Sequence, residues 1–424
     1  MKCLEAPLPA IPHFDVGDEM THKGDTWNES SVHKDACTGR EVRRLTTSGL
    51  WNEKPTYHIN TVFTSDGESI VFARAQEGRT ALIKCHVPSG RLTQLTEWVE
   101  GVGSPCGLHK EGRSEYYDGK GISGIILCVA PRSRKAVFPA GRSIRSVHID
   151  TLEEKTLLDD FGPDWIDGVI SINPSETHAL LPLMPAHPEI KQGIPPSRGY
   201  IDWFAEGGMR TRYVEIPLDG GESSIAFEDE GMGCAHCPHC PTDDDLVLID
   251  RDRAPLFWCG SDRGASARCW TLRFSTGEMT ELRPQNQQKF QVHAGWTWDG
   301  KHVIYHGAMR QGGYYIGVID RSGEVVREFE FPDAGSYGHV SAAPDRQAII
   351  LDGNITEDQL CWMYYDKEEP RIEGIARHGT EWQSVPGQYS HPHPQSDPTG
   401  CWITYHVAKD KRTDLYVVSV GNSS

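Results

Sequence analysis

Hydrophobic residues along this chain come in short runs separated by turns, and helical periodicity is hard to find over any useful window. The segments 58–74, 80–96 and 414–421 are such runs, rich in β-branched residues and punctuated by Asp-Gly, Pro-Ser-Gly or similar turns. Residues of this type in short runs between turn signals are typical of strands, whose side chains alternate between two faces. The pattern therefore predicts an all-β protein.

One arrangement recurs along the chain: an apolar strand, a turn built on Pro, Asp, Ser or Gly, and a second apolar strand. Its seven copies begin at Phe63, Ala130, Asn173, Cys240, Thr297, Ala343 and Ser396. Repeats of this kind are typical of propeller blades, each of which buries its faces against its neighbours. We therefore expect a single seven-bladed β-propeller over residues 37–424, preceded by an N-terminal extension over residues 1–36.

The segment 37–47, CTGREVRRLTT, looks like an outer strand that lacks inner partners of its own. We expect this N-terminal strand to pair with the run at 414–421, so that it completes the last blade and closes the ring. Closure removes the exposed strand edges that favour aggregation. In such a ring the innermost strand of each blade precedes its repeat turn, so polar residues there face the central channel.

Charge and targeting signals narrow the expected partners and location. The 424 residues contain 60 Asp and Glu against 42 Lys and Arg, which gives a net charge of −18. This charge repels nucleic acid and anionic membranes, so we expect neither as a partner. The first residues lack the apolar core of a signal peptide, and no run of about 18 apolar residues occurs. We therefore expect a cytoplasmic protein whose 12 cysteines are reduced.

Histidine is concentrated just before the repeat turns, where the inner strands are expected. The polar candidates there are His58, Asn60, His236, His239, His293, His339, Gln388, His391 and His393. In QYSHPHPQ, strand geometry places His391 and His393 on one side, and Pro392 between them is rigid. Imidazoles suit several transition metals, and the amide oxygen of Gln388 is a harder ligand. These residues favour a metal site, with structural histidines as the alternative.

A second metal candidate is CAHCPHC at 234–240, which holds three cysteines and two histidines. Structural zinc sites usually draw two ligands from each of two separated knuckles, and no CxxC knuckle occurs outside this segment. We therefore favour His236 as a channel residue and keep zinc as the alternative. Asp164 and Asp167 are the one carboxylate pair that stands out on the inner strands, and they leave a glycosidase open.

The segment GQYSHPHPQSDPTG resembles the metal-binding motif of the oligogalacturonate lyases, a family of seven-bladed propellers that act on short pectic oligosaccharides. Further segments resemble that family in the same order along the chain, at 58–72, 236–251, 266–272, 292–306 and 338–353. The similar segments together span roughly residues 40–420.

The resemblance implies roles for named residues. Binding of a divalent cation, usually Mn²⁺, falls to His339, Gln388, His391 and His393. His293 becomes the catalytic base, and Arg268 becomes its positively charged companion. We add three candidates for substrate binding from the inner strands: His58, Asn60 and His236.

The activity implied by the resemblance is β-elimination on a short acidic oligosaccharide, with digalacturonate as the first candidate. The chain departs from the family beside the reacting centre, because Ala294 and Gly295 follow His293 where the family commonly has Glu and Phe. Two alternatives therefore stay open. One is a related propeller lyase for a different uronic acid linkage, and the other is a non-catalytic propeller that binds proteins.

Overall fold

The computed structural model describes residues 20–55, 62–103, 120–187, 198–251, 268–283, 288–334, 338–353, 358–382 and 391–421. Within these ranges the chain forms 32 strands and one short helix, α1 (Arg198–Ala205). The prediction of an all-β protein is confirmed. Across the described ranges no helix is long and apolar enough to cross a membrane.

Strands that follow one another along the chain pair into antiparallel groups, numbered here in chain order. The first group comprises β1 (Thr26–Asn28), β2 (Ser31–Lys34), β3 (Glu41–Arg44), β4 (Trp51–Glu53), β5 (Ser69–Gln76), β6 (Arg79–His86), β7 (Arg91–Gln94) and β8 (Val99–Glu100). The second comprises β9 (Cys128–Ala130), β10 (Lys135–Ala140), β11 (Ser143–His148) and β12 (Glu154–Leu158). The third comprises β13 (Trp165–Asp167), β14 (Ser171–Ile172), β15 (His178–Pro185), β16 (Arg210–Pro217) and β17 (Ser224–Glu230).

The remaining groups follow the same plan. The fourth comprises β18 (His239–Cys240), β19 (Asp243–Ile249), β20 (Cys269–Arg273) and β21 (Glu278–Arg283). The fifth comprises β22 (Lys289–Trp296), β23 (His302–Met309), β24 (Tyr314–Asp320) and β25 (Val325–Phe331). The sixth comprises β26 (Val340–Ala342), β27 (Ala348–Leu351), β28 (Gln359–Tyr364) and β29 (Arg371–Arg377), and the last comprises β30 (Gln395–Ser396), β31 (Trp402–Lys409) and β32 (Arg412–Ser419).

The first and last groups share one sheet. β3 pairs antiparallel with β32, with Val42 opposite Val418, and β2 pairs with β3. β32 also pairs in parallel with β4 through Thr413 and Trp51, so the two groups form an eleven-stranded sheet. The predicted boundary after residue 36 therefore falls between β2 and β3, two paired strands of this sheet.

Contact between the first and last repeat turns agrees with this pairing. Gly67, in the first repeat turn, has a φ of +72°, which favours glycine. A Cβ atom at that position would lie 2.5 Å from Oδ2 of Asp397 in the last repeat turn. The two turns are therefore packed against each other, and a larger residue at Gly67 would separate them.

Apolar side chains between neighbouring sheets form the core. The middle strands are buried on both faces: β5 is buried at every position except its last, and β27 is buried throughout. Most clusters join successive sheets, as where Ile304 of β23 packs with Ile349 of β27. Burying one such side chain contributes about 2 kcal/mol.

Candidate functional site

Five of the predicted histidines form one row across four groups of strands. The ring centroids of His236 and His293 are 6.4 Å apart, and those of His293 and His339 are 4.9 Å apart. His339 lies 3.8 Å from His393 and 5.1 Å from His391 by the same measure. The structure thus brings together residues that are far apart in sequence. His58, Asn60 and Gln388 lie outside the described residues.

His339, His391 and His393 form a candidate ligand set for a metal ion. One ring nitrogen of each lies within 4.8 Å of the other two, and no other such group of His, Cys, Asp or Glu occurs in the part of the chain that the structure describes. Nitrogens that bind one ion at about 2.1 Å lie roughly 3–4 Å apart. The three rings therefore stand close to coordination distance.

Hydrogen bonds fix the tautomers of two of these rings. Nδ1 of His339 lies 3.1 Å from Oδ2 of Asp352, and Nδ1 of His393 lies 3.1 Å from the carbonyl oxygen of His391. Carbonyl and carboxylate oxygens accept hydrogen bonds, so both Nδ1 atoms carry the proton. In the neutral ring Nε2 then holds the lone pair that a metal ion requires.

Burial keeps the rings of His391 and His393 in the neutral form that binds metal. The pKa of His391 falls to about 3, first because the ring is buried and second because His339 is close. The pKa of His393 lies well below its ordinary value for the same two causes. Because a metal-bound histidine must be deprotonated, both rings are competent ligands at neutral pH.

Asp352, directly after β27, connects the two segments that supply these ligands. Its carboxylate accepts the backbone N–H of His339 at 2.6 Å and that of His393 at 3.0 Å. Burial alone would raise the pKa of Asp352, but the nearby His339 and the hydrogen bonds that it donates hold the pKa below its usual range. A carboxylate behind a ligand imidazole orients the ring and raises its basicity. Sequence reasoning missed this residue.

His393 adopts a backbone conformation that is rare for a side chain of its size, with a φ of +46°. Nζ of Lys54 donates to its carbonyl oxygen at 2.5 Å and contacts Oε1 of Gln395 at 3.2 Å. Lys54 is fully buried, which lowers its pKa to about 7. Such backbone strain concentrates at functional sites. Lys54, which sequence reasoning also missed, therefore helps to hold the ligand segment in place.

His293 lies in the middle of the row and is 5% exposed. Its Nδ1 is 3.0 Å from Nε2 of His306, the residue opposite it on β23. Burial lowers the pKa of His306 to about 3, so this neighbour is neutral. One of the two facing nitrogens therefore carries a proton and donates a hydrogen bond, which the other nitrogen accepts.

The far end of the row contains a second buried carboxylate. Oδ2 of Asp250 lies 2.5 Å from Nδ1 of His236 and 3.3 Å from Nη2 of Arg268. Burial would raise the pKa of Asp250, but the charge of Arg268 and the hydrogen bond from His236 keep it below the usual range. The carboxylate is therefore ionised and holds two donors, one from the segment before β18 and one from the residue before β20.

The repeat contained a signal for the partners that sequence reasoning missed. Asp250 stands 14 residues after His236, and His306 and Asp352 stand 13 residues after His293 and His339. In each case the partner comes from the second strand of the hairpin or from the residue directly after it. An alignment of the repeats on their inner histidines would have placed all three partners opposite those histidines.

The CAHCPHC segment does not gather its cysteines and histidines around one point. His236 contacts Asp250, whereas Nδ1 of His239 contacts Oγ of Ser171 at 2.8 Å. Sγ of Cys234 donates to the carbonyl oxygen of His236 at 3.1 Å. Among the described residues this segment forms no shared ligand set, so the zinc alternative loses its geometric basis.

A cavity of about 360 Å³ lies along the same inner strands but does not include the row. Its lining contains His239, Trp296, Ser341 and Gln395, which follow the histidines of the row by a few residues. The cavity is therefore displaced from the row along the strand direction.

No family model matches the chain, and no curated protein matches its sequence. Solved structures do match. An oligogalacturonate lyase in complex with manganese aligns with a TM-score of 0.74 and 20% identity, over 95% of this chain and 99% of that chain. An oligogalacturonate lyase from Vibrio parahaemolyticus gives 0.73 and 18% over the same shares. A chain of the mitotic checkpoint complex gives 0.52 and 12%, over 99% of this chain and 97% of that chain. These likenesses establish a shared fold and support the resemblance to the oligogalacturonate lyases.

Proposed function

We propose that this chain is a metal-dependent lyase that cleaves short uronate oligosaccharides by β-elimination, with digalacturonate as the first candidate substrate. The observation that carries the proposal is the row of histidines, in which three imidazoles share one centre and His293 stacks on His339. The likeness in fold to an oligogalacturonate lyase in complex with manganese supports it and makes Mn²⁺ the first candidate ion, ahead of other divalent cations.

In this proposal His339, His391 and His393 hold the ion, and Gln388 is the fourth protein ligand. Neutral imidazoles together with an amide oxygen suit Mn²⁺ and neighbouring transition metals. When bound, the cation supplies Lewis acidity toward the uronate carboxylate, which makes the adjacent C5 proton easier to remove. Asp352 and Lys54 keep the ligand segments in register.

His293 removes the C5 proton. In this proposal the proton between Nδ1 of His293 and Nε2 of His306 resides on His293, which leaves Nε2 of His293 as the atom that accepts the C5 proton. The electron pair of the C5–H bond forms the C4–C5 double bond as the C4–O bond breaks, and the leaving oxygen gains a proton. A positioned histidine base contributes roughly 10²–10⁴-fold to the rate. Arg268, which is always charged, binds the substrate carboxylate or the developing enolate.

The acidic chain binds its acidic substrate through these local cationic groups, aided by His58, Asn60 and His236. We further propose that residues 37–424 are a single seven-bladed propeller, in which the eleven-stranded sheet contains two blades joined through β4 and β32. Residues 26–34 add outer strands to it. We place the reaction in the cytoplasm.

The test incubates purified protein with Mn²⁺ and digalacturonate and follows the keto-uronate product, into which the released unsaturated monosaccharide rearranges. We expect product in the presence of the metal and none after chelation. His293→Ala is expected to lower kcat by about 10²–10⁴-fold while metal binding persists. His86→Ala, a histidine of β6 outside the row, is the matched control and is expected to keep full activity. A protein that binds Mn²⁺ but acts on no uronate oligosaccharide would contradict the proposal.

A second candidate function is a lyase for a different uronic acid linkage. It is favoured by Ala294 and Gly295, which leave the space after His293 without large side chains. A panel of oligosaccharides with galacturonate, glucuronate or other uronates separates the two candidates by the ratio of their kcat/KM values.

A further inference from the structure

We propose that Asp250 is a positioning residue of the reacting centre, whose carboxylate holds the imidazole of His236 and the guanidinium of Arg268 beside His293. The kinetic part of this inference rests on the proposed lyase function. Its structural part does not, because it concerns which nitrogen of His236 carries a proton.

The contacts of Asp250 hold His236 from two directions. Oδ2 accepts from Nδ1 of His236, and the backbone N–H of Asp250 donates to the carbonyl oxygen of His236 at 3.3 Å. Side chain and backbone are thus linked between the start of the inner strand and the end of β19. Rotation of the His236 ring would break the shorter of these bonds.

The same oxygen connects Arg268 to this pair. Nη2 of Arg268 lies 3.3 Å from Oδ2, and the side chains of Arg268 and Asp250 are 11% and 8% exposed. In a site so poorly hydrated, charges attract each other more strongly than on the surface. Asp250 therefore brings the planar guanidinium of Arg268, which precedes β20, next to the imidazole of His236, which precedes β18.

The carboxylate also determines the tautomer of His236. Because an ionised carboxylate accepts hydrogen bonds, the proton of the neutral ring resides on Nδ1. Nε2, on the opposite side of the ring, is then directed away from Asp250. The ring stands edge to face with His293, at 6.4 Å between centroids. Asp250 thus holds His236 and Arg268 together next to the proposed base, where Arg268 supplies the positive charge for an anionic sugar and Nε2 of His236 accepts a hydrogen bond.

The first experiment needs no substrate. Histidine-labelled protein is examined by long-range ¹H–¹⁵N spectroscopy, with the His236 signals assigned from their loss in His236→Gln. We expect the pattern of an Nδ1-protonated ring in the wild type, and a mixture or the opposite tautomer in Asp250→Asn. An unchanged His236 pattern in Asp250→Asn would overturn the inference.

The second experiment measures kcat and KM for digalacturonate with Mn²⁺. Asp250→Asn is expected to lower kcat by about 100-fold, the size of effect that a small misplacement of reacting groups produces. Asp250→Glu, which restores the charge, is expected to recover part of that loss. Metal affinity should change less than about twofold, because Asp250 contacts none of the proposed ligands.

Asp229→Asn is the matched control, because Asp229 is a buried carboxylate of β17 that pairs with Arg251 at 2.7 and 3.0 Å, outside the row. We expect its kcat to stay close to that of the wild type. Equal losses in the two variants, or an Asp250→Asn variant with unchanged kcat, would overturn the role in positioning. A wild type that cleaves no uronate, combined with the expected tautomer change, would refute the lyase function and leave the structural part standing.

Discussion

Asp250 and Asp352 make the same kind of contact in two different sheets, yet they stand in different chemical surroundings. Each lies directly after the second strand of its group, and each accepts a hydrogen bond from Nδ1 of a histidine that precedes the inner strand. The next partner differs. Asp352 also accepts the backbone N–H of His393, whereas Asp250 also accepts from the guanidinium of Arg268.

This difference teaches how a repeated hairpin produces two kinds of site. Where the neighbour is a backbone amide that leads into further imidazoles, neutral nitrogens collect around one centre that suits a cation. Where the neighbour is a guanidinium, the carboxylate instead holds a cationic side chain, Arg268, which can attract an anion. The repeated hairpin places the carboxylate, and the neighbouring segment determines which groups donate hydrogen bonds to it.

Removal of a proposed metal ligand should abolish most Mn²⁺ binding at the site that Asp352 organises, and this is the largest expected effect. His393→Ala is expected to weaken Mn²⁺ binding by more than about 100-fold, beyond the loss typical of changes behind the ligands. The measurement is a Mn²⁺ titration of metal-free protein, followed by calorimetry or electron paramagnetic resonance. Full metal occupancy in the variant would remove His393 from the ligand set.

A third buried carboxylate, Glu29, shows what the same burial does outside the row. It pairs with Arg74 at 2.6 Å and accepts the backbone N–H groups of Thr47 and Ser48. Burial alone would raise its pKa, but Arg74 and the hydrogen bonds lower the pKa from 4.5 to about 2. This shift corresponds to about 3 kcal/mol of folding stability at neutral pH.

Glu29→Gln should therefore lower the free energy of unfolding by about 3 kcal/mol at pH 7. Because the pKa is lower in the folded state, the contribution is complete above the unfolded value and is lost as the pH falls toward 2. The difference between wild type and variant should shrink accordingly in urea titrations at decreasing pH. Metal affinity at neutral pH should remain that of the wild type. A large loss of metal affinity would show that Glu29 also supports the metal site.

Asp352→Asn tests support of the ligands rather than ligation itself. The variant keeps the shape of the side chain but loses the charge that orients His339. We expect metal affinity to fall by about 10- to 100-fold, as for other carboxylates behind ligand histidines. An affinity equal to that of the wild type in the same titration would show that His339 is oriented without Asp352.

Asp250→Asn in that titration gives the smallest expected effect. Metal affinity should stay within about twofold of the wild type, because distant sites without shared partners act independently. A loss as large as that of Asp352→Asn would erase the distinction between the two carboxylates.

The sequence was sufficient for the strand class and for the positions of the histidines, because strand runs, turns and their recurrence are local signals. It was not sufficient for Asp250, Asp352 or Lys54. An aspartate after a strand is also the ordinary residue of a turn, so its burial is decided by the neighbouring sheet. Lysine is rarely buried, and Lys54 is buried because the last group packs over the end of β4. The roles of His58, Asn60 and Gln388 stay predictions.

The pairing of β3 with β32 also limits when the first and last strands can pair during synthesis of the chain. Val42 can pair with Val418 only after nearly the whole chain has been synthesised. β3 therefore lacks this partner strand while the sheets between the two are being made. His391 and His393 precede β30 and β31 of that same late sheet. During synthesis the ligand set of the proposed metal centre is therefore completed near the end, and a ribosome-bound fragment that stops before residue 388 contains only His339 of the proposed ligands.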